Sequence, residues 1–479
     1  HRRVLVSDMK RAEITAFLSL VFVLVVSFVL GILQIAVIHT SKNLSRLATD
    51  RAVFSVFGEY QKELLKDYSV FAIDGTYGSD EFSEERILGR MYYYAEDTTE
   101  HEITDIQLLT DSGGQAFREQ VLTYMEDTYG LGIIGDFTGM TGDWQEQEIQ
   151  AEKMGEKEEA ILDELENLKE SAGASETEEE TLPPDGEGNE TASIEGSPFT
   201  CVEQIEDAGI LSVVMPKDME LSGKSVSLED QASNRSLHTG KGSFPTRQGT
   251  DGISERLLFN EYVLDSFTNA TDKEKRNRSL SYEAEYILSG KESDKENLEA
   301  VLWKIFFIRM ALNYIYLQGD SGKQGEAEAL AFILSVILLI PEGAEALKQL
   351  ILLAWAAGES VVDIRTLLAG GKAALVKTSD TWRLSLSELL TLGGGSEQIQ
   401  GTDTEEGISY KDYLRSFLFL EDPSEVTMRS LDRIEENLAS EHGQNTFQAD
   451  QCVTKIKMKN VARLFAELDY TYPVYFGYE

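Results

Sequence analysis

Residues 14–38 constrain this chain more than any other stretch. They form a 25-residue run without a charged side chain, interrupted only by Thr15, Ser19, Ser27, Gly31 and Gln34. At about 1.5 Å per residue, a helix of that length crosses a hydrocarbon layer of roughly 30 Å. A cleaved secretory signal carries a shorter apolar stretch, of about 7–15 residues, with a small-residue cleavage site behind it. Here the chain continues as IHTSKNLSRLATDRAVFSVFGEYQKELL. In that segment Leu44, Leu47, Ala48, Val53, Phe54, Phe57 and Leu64 recur at three- and four-residue steps, and no proline intervenes. The pattern predicts an uncleaved transmembrane helix over 14–38 that continues for several turns into water.

Charge sets the expected orientation. Arg2, Arg3, Lys10 and Arg11 precede the run, against Asp8 and Glu13. A positive flank stays in the cytoplasm, which places the C-terminal domain outside the cell. The whole chain carries 43 Lys and Arg against 84 Asp and Glu, a net charge of −41, so everything beyond residue 13 carries −43. Such a surface repels nucleic acid and anionic headgroups, and nucleic acid is excluded as a partner. The bilayer interior, reached through residues 14–38, is the expected partner. The two cysteines, Cys201 and Cys452, exclude a disulfide-dense scaffold. They leave one candidate bridge on the oxidising side, or two separate thiols.

Periodicity predicts an α+β chain, mainly α, with a small antiparallel sheet. Residues 1–13 read as the cytoplasmic flank and 14–38 as the membrane helix. Residues 39–142 read as a helix plus a small α/β region, and 201–479 as a mainly helical extracellular domain ending in a strand. Between them, 143–190 hold 18 acidic residues and 3 Lys, and 171–197 have so little to bury that disorder is expected. Strands are predicted within 67–78 and 102–111. CVTKIKMKNV (452–461) alternates with a period of two, and its Lys row is expected to face water at a sheet edge. Helices are predicted at 81–95 and 115–130, on either side of a break at Gly290, and at 327–340, 341–370, 411–420 and 424–440. The short apolar run 329–340 reads as a buried core helix.

A search for catalytic chemistry returns negatives. There is no Gly-x-Ser-x-Gly elbow, and the five histidines contain no HExxH pair. The Gly-Lys-Ser at 223–225 has Asp218 where a phosphate loop needs its first glycine. Asp74 and Thr76, in FAIDGTYGS, stand as two members of an Asp-x-Ser-x-Ser cation site, but Gly78 has no side-chain oxygen for the third place. The plainer expectation is a turn capped by Asp74. No catalytic residue, metal site or cofactor is expected.

Two stretches near the start, ITAFLSLVFVLVVSFV and ATDRAVFSVFGEYQKELLKDYSVFAID, resemble the membrane helices of TadE- and TadG-like proteins. Those are minor, pilin-like components of tight-adherence (Flp-type) pilus systems. With YEAEYILSGKESDKENL (282–298), LLAWAAGESVVDIRTLLAGGKAALVKT (352–378) and SYKDYLRSFLFL (409–420), the chain is similar to a Gram-positive family of unknown function whose members tend to be encoded beside those pilus genes. The resemblance implies a non-enzymatic, single-pass surface protein that serves as a minor component or assembly factor of such an apparatus, with other Tad/Flp components as partners. A membrane-anchored adhesin or ligand-binding ectodomain is the alternative. Small residues let helices approach closely in lipid, and Ser27 and Gly31 form one such pair. Glu13, directly before the run, either favours the helix start or pairs with a neighbour's charge.

Overall fold

The computed structural model describes residues 2–478 apart from 80, 96–98, 131–139, 154–159, 161–204, 206–208, 218, 248, 251, 273–276, 338–339, 390–391, 393–398, 400 and 465–467. The expected linker at 171–197, Cys201 and most of the acidic stretch therefore lie outside the described residues. The architecture is mainly helical with a small antiparallel sheet. It forms two compact units. The first comprises residues 1–120, 237–246 and 446–479; the second comprises 121–236 and 247–445. This division differs from the chain-order boundaries read from composition, because the last strands hydrogen-bond to strands near the start.

In the first unit, α1 (Arg2–Phe57) is one unbroken helix of 56 residues, about 84 Å long. From 14 to 37 its side chains are exposed, with Gly31 alone half-buried. Beyond the apolar run one face becomes core. Ala52, Val53, Val56 and Phe57 pack with Ile87 and Met91 of α3 (Glu84–Ala95) and with Ile103, Ile106 and Leu108 of β2 (Glu100–Leu108). Each fully buried aliphatic side chain there contributes roughly 1.5–3 kcal/mol.

The predicted strand at 67–78 is mostly something else. KELLKDY forms α2 (Lys62–Tyr68), burying Leu64 and Tyr68 one turn apart, and Ser69 ends it in the left-handed region at φ 58°. Only Ile73–Asp74 remain as strand, β1. The helix α4 (Asp111–Tyr129) becomes regular after Gly114, since Ser112, Gly113 and Gly114 all have positive φ.

The sheet overturns the expected edge position of the C-terminal strand. β5 (Cys452–Arg463) lies at its centre, with β2 on one side and both β1 and β6 (Asp469–Gly477) on the other, all antiparallel. Its lysines stand beside acids; Lys459 still faces water, Lys457 partly so, and Lys455 is withdrawn from it. Lys455 is buried against Glu119 at 2.9 Å, and Lys457 and Lys459 stand across from Asp105 and Glu102 of β2. Cross-strand pairs of opposite charge make this row compatible with an inner strand. The true edge is β6, which accommodates Pro473 opposite Lys459. A strap at 237–246 closes the outer side of β2, with Lys241 and Ile106 exchanging backbone hydrogen bonds at 2.9 Å. A Cβ on Gly240 would overlap the Ile106 carbonyl, so the strap needs glycine there.

The second unit is helical: α5 (Ile253–Ser266), α6 (Glu283–Ser289), α7 (Asp294–Gly319), α8 (Ser321–Ile337), α9 (Ala344–Leu368), α10 (Tyr410–Leu420) and α11 (Pro423–His442). A two-residue ribbon, β3 (Lys372–Ala373) with β4 (Ile408–Ser409), precedes α10. Helix α9 is the axis, buried continuously from Leu350 to Leu368 and packed along α7 and α8. By length and composition α7 also passes as a membrane span, but most of its apolar window is buried, whereas none of that in α1 is. The expectation of a buried helix at 327–340 needs correction. Ala327, Ala331, Leu334 and Ser335 of α8 are buried, but Phe332, Ile333, Val336 and Ile337 are exposed, because α8 rests on the bundle by one face.

Candidate functional site: the N-terminal helix and the cleft at its foot

The end of α1 is held by the end of the chain. Tyr472 on β6 is 1% exposed; its hydroxyl donates to Ser45 O at 3.0 Å and accepts from Thr49 Oγ1 at 2.7 Å. Lys42 and Arg46 lie over the stacked rings of Tyr470 and Tyr472, at 4.7 to 5.6 Å. Such contacts are worth about 0.5–1 kcal/mol at exposed sites. Phe57 packs on Phe476 and Tyr478, and the Tyr478 hydroxyl donates to Phe57 O. Aromatic residues of the last eleven positions thus form the seat of the helix that begins the chain.

At that foot is a cleft of about 780 Å³, with Glu59, Tyr60, Asp74, Tyr77, Arg86 and Arg90 in its wall. Burial works to raise the Glu59 carboxyl. Hydrogen bonds from Arg90 and from the Tyr94 hydroxyl, the latter at 2.7 Å, prevail and hold it below the usual carboxylate range. Arg86 is engaged with backbone, donating to Thr76 O and Glu81 O. Asp74 Oδ1 accepts from Thr76 N at 2.9 Å and Thr76 Oγ1 at 2.6 Å, which is the capped turn expected of FAIDGTYGS. Among the described residues, the cleft wall is made mainly of acids, arginines and tyrosines, with Glu59 paired to Arg90.

In the second unit the two family-like stretches build the interior. In YILSGKESDKENL, Gly290 ends α6 at φ 60°, and Arg429 closes its last turn by donating to Ile287 O and Leu288 O. Ser293 and Glu296 make a capping box on α7. The buried Asp294 carboxylate accepts from Ser281 N, Tyr282 N and Ser222 Oγ. In AWAAGESVVDIRTLL, Asp363 Oδ2 takes Nε and Nη2 of Arg309 at 3.0 and 2.7 Å, and Oδ1 takes Lys377 at 2.7 Å. Lys377 also reaches Glu359 at 2.5 Å, and Glu359 accepts from Leu384 N at 2.8 Å. Burial opposes the Asp363 charge, but Arg309 and Lys377 outweigh it and keep that carboxyl low. Burial and the neighbouring Asp363 raise Glu359. Two acids and two bases balance one another away from solvent, where an unpaired charge would be costly. Sequence reading missed this network. Its signal was two acids four residues apart in an apolar run, which demand buried cations.

The residues singled out for assembly are on α1. Ser27 and Gly31 are one turn apart; the Ser27 hydroxyl donates to Val23 O at 2.8 Å, and a Cβ on Gly31 would meet nothing within 4 Å. Glu13 is exposed at the start of the run. Cys452 is buried on β5 and its thiol donates to Gln448 O at 3.4 Å. The bridge to Cys201 concerns a residue outside those described.

These features define a mainly α protein that carries an exposed, span-length helix seated in an α+β unit, with a second, helical unit built on buried ion pairs. Residues 188–464, more than half of the chain, match a family of unknown function, DUF5702, and the chain belongs to that family. The match takes in both motif stretches and β5 and leaves α1 outside. No curated protein and no solved structure matches the chain.

Proposed function

We propose that this is a non-enzymatic, single-pass surface protein whose first helix both anchors it and joins it to a pilus-like or secretion apparatus of the Tad/Flp type, as a minor component or assembly factor. The supporting observation is the continuity of α1. One helix runs from a fully exposed apolar segment into the core of the first unit, so a neighbour that grips the membrane segment positions the folded unit directly. Residues 14–38 meet lipid, the basic flank lies in the cytoplasm and the acidic bulk lies outside.

Orientation is tested with Gly223→Cys, at an open position, compared with the parent chain. An impermeant maleimide labels the variant on intact cells; labelling only after lysis refutes the orientation. The assembly role is tested by replacing residues 17–33 with leucine. Membrane level is retained, because leucine inserts well, while co-purification with apparatus components and surface piliation are lost. Normal piliation with the leucine helix reduces α1 to a tether and favours the alternative, a membrane-anchored adhesin.

A further inference from the structure

The part of α1 beyond the membrane run buries one side and leaves another bare. Leu44, Leu47 and Phe54 are 61%, 66% and 69% exposed, although each is large and apolar. They are not scattered. Leu44, Leu47, Arg51 and Phe54 follow a three-four spacing, and the same register extends back through Thr40, Val37, Leu33 and Leu30, all exposed. That is a heptad seam over more than three repeats: Leu30, Leu33 and Val37 lie in the membrane run, where nearly every side of α1 is exposed, and Thr40 to Phe54 lie beyond it. The buried side of the helix, with Thr49, Ala52, Val53 and Val56, is already committed to the first unit. Phe54 touches Phe476 only edge-on, at 6.2 Å.

We propose that this seam is a parallel self-association surface, occupied by α1 of a second copy of the chain. Copies anchored in one membrane through the same helix share one orientation, so their seams meet in register without a turn. Charge complementarity also favours a second copy. In a parallel pair Arg51 stands across from the partner's Arg51 and packs beside the partner's residue one place earlier in the heptad, Asp50, so this layer carries two arginines balanced by two aspartates. Arg51 and Asp50 are both exposed, so each copy's Arg51 faces its neighbour's Asp50. Arg51 spends one Nη2 donor on Tyr94 O at 3.1 Å and keeps others for this contact. A polar residue at one inner heptad position sets register at a cost in stability. The inference rests on the membrane-anchor reading of α1 but requires no pilus.

The test uses full-length protein in native membranes. Leu44→Cys, Leu47→Cys and His39→Cys are oxidised with copper phenanthroline beside the parent chain, which supplies the baseline of its own two cysteines. His39 is exposed on α1 well away from the seam. Leu44→Cys and Leu47→Cys form disulfide dimers far above His39→Cys and the parent. Arg51→Asp in the Leu47→Cys background lowers dimer formation about two- to twenty-five-fold, and Asp50→Arg with Arg51→Asp restores it, the range expected for the two exposed pairs of a dimer. Equal cross-linking at all three positions marks random collision and overturns the proposal. So does cross-linking only to a different protein, or none. Membrane fractionation of the same samples reports anchoring separately, so loss of the seam and loss of the anchor are distinguishable.

Discussion

Arg309 places two donors, Nε and Nη2, on a single oxygen of Asp363, with both side chains withdrawn from solvent. The second oxygen of Asp363 belongs to Lys377, and Lys377 shares itself with Glu359. Charge is therefore balanced over four residues. Arg309→Met leaves three charged groups with an excess acid, and removing one partner of a buried pair costs about 3–5 kcal/mol. Arg309→Met with Asp363→Leu leaves Lys377 and Glu359 as a neutral pair and recovers most of that loss. Urea unfolding of the detergent-solubilised chain, followed by Trp fluorescence, measures both. A single-variant cost below 1 kcal/mol, by the standard for exposed pairs, would sink this account.

The pH profile of stability has an identifiable source in Glu285. It is fully buried, and burial pushes its carboxyl up to about 7, even though Ala270 N and the Tyr410 hydroxyl each donate to it at 2.8 Å. An acid whose pKa rises on folding holds its proton more tightly in the folded state. Stability from this group is therefore intact below the unfolded value near 4.5 and falls as pH rises toward 7, by on the order of 3 kcal/mol in all. Glu285→Gln keeps an acceptor for Ala270 N and carries no charge, so its denaturation midpoint should vary less between about pH 5 and pH 8 than the parent's. Parallel pH profiles for the two proteins would contradict the assignment.

Tyr472 is the pin between the last strand and the first helix. Tyr472→Phe removes a donor from Ser45 O and strands the hydroxyl of Thr49, which is fully buried. Stranding a buried polar group costs about 1–3 kcal/mol. Adding Thr49→Val removes the stranded hydroxyl, so the double variant should lose less than the sum of the two singles. Protease resistance of the segment after residue 38, together with the unfolding midpoint, gives the readout. Strict additivity would mean that the two hydroxyls do not interact.

Much of the fold was legible because local rules and burial agree. The uncharged run, the amphipathic stretch ending at Gly130 and the break at Gly290 became helix features at those places. What was not legible depended on distant partners. Alternating lysines in 452–461 look like an edge strand until Glu119, Asp105 and Glu102 are brought across from them. Residues 469–477, with a proline in the middle, drew no strand expectation from sequence, yet they form the edge of the sheet. The apolar run of α8 says it can be buried, but not how much of it the neighbouring helices cover, and its outer face stays exposed. At the candidate site, the small pair Ser27 and Gly31 was visible in sequence. The seam at Leu44 and Leu47 showed as helical periodicity, and only the fold reveals that this side is the one left uncovered.

Gly31 allows the two sides of α1 to be tested separately. It lies roughly opposite the Leu44–Leu47 seam around the helix, by the 100° advance per residue. A side chain added there meets nothing within 4 Å in the chain itself. Gly31→Leu should therefore leave the unfolding midpoint unchanged and keep the protein in the membrane, since leucine favours a spanning helix more than glycine does. It should also leave Leu47→Cys cross-linking unchanged if the seam is the self-association face. Any partner that uses the small side at Ser27 and Gly31 loses close backbone approach, and with it the packing that holds helices together in lipid. The expected outcome is reduced co-purification of apparatus components at constant dimer yield. If Gly31→Leu instead abolishes the dimer and leaves co-purification intact, the two faces have been assigned the wrong way round.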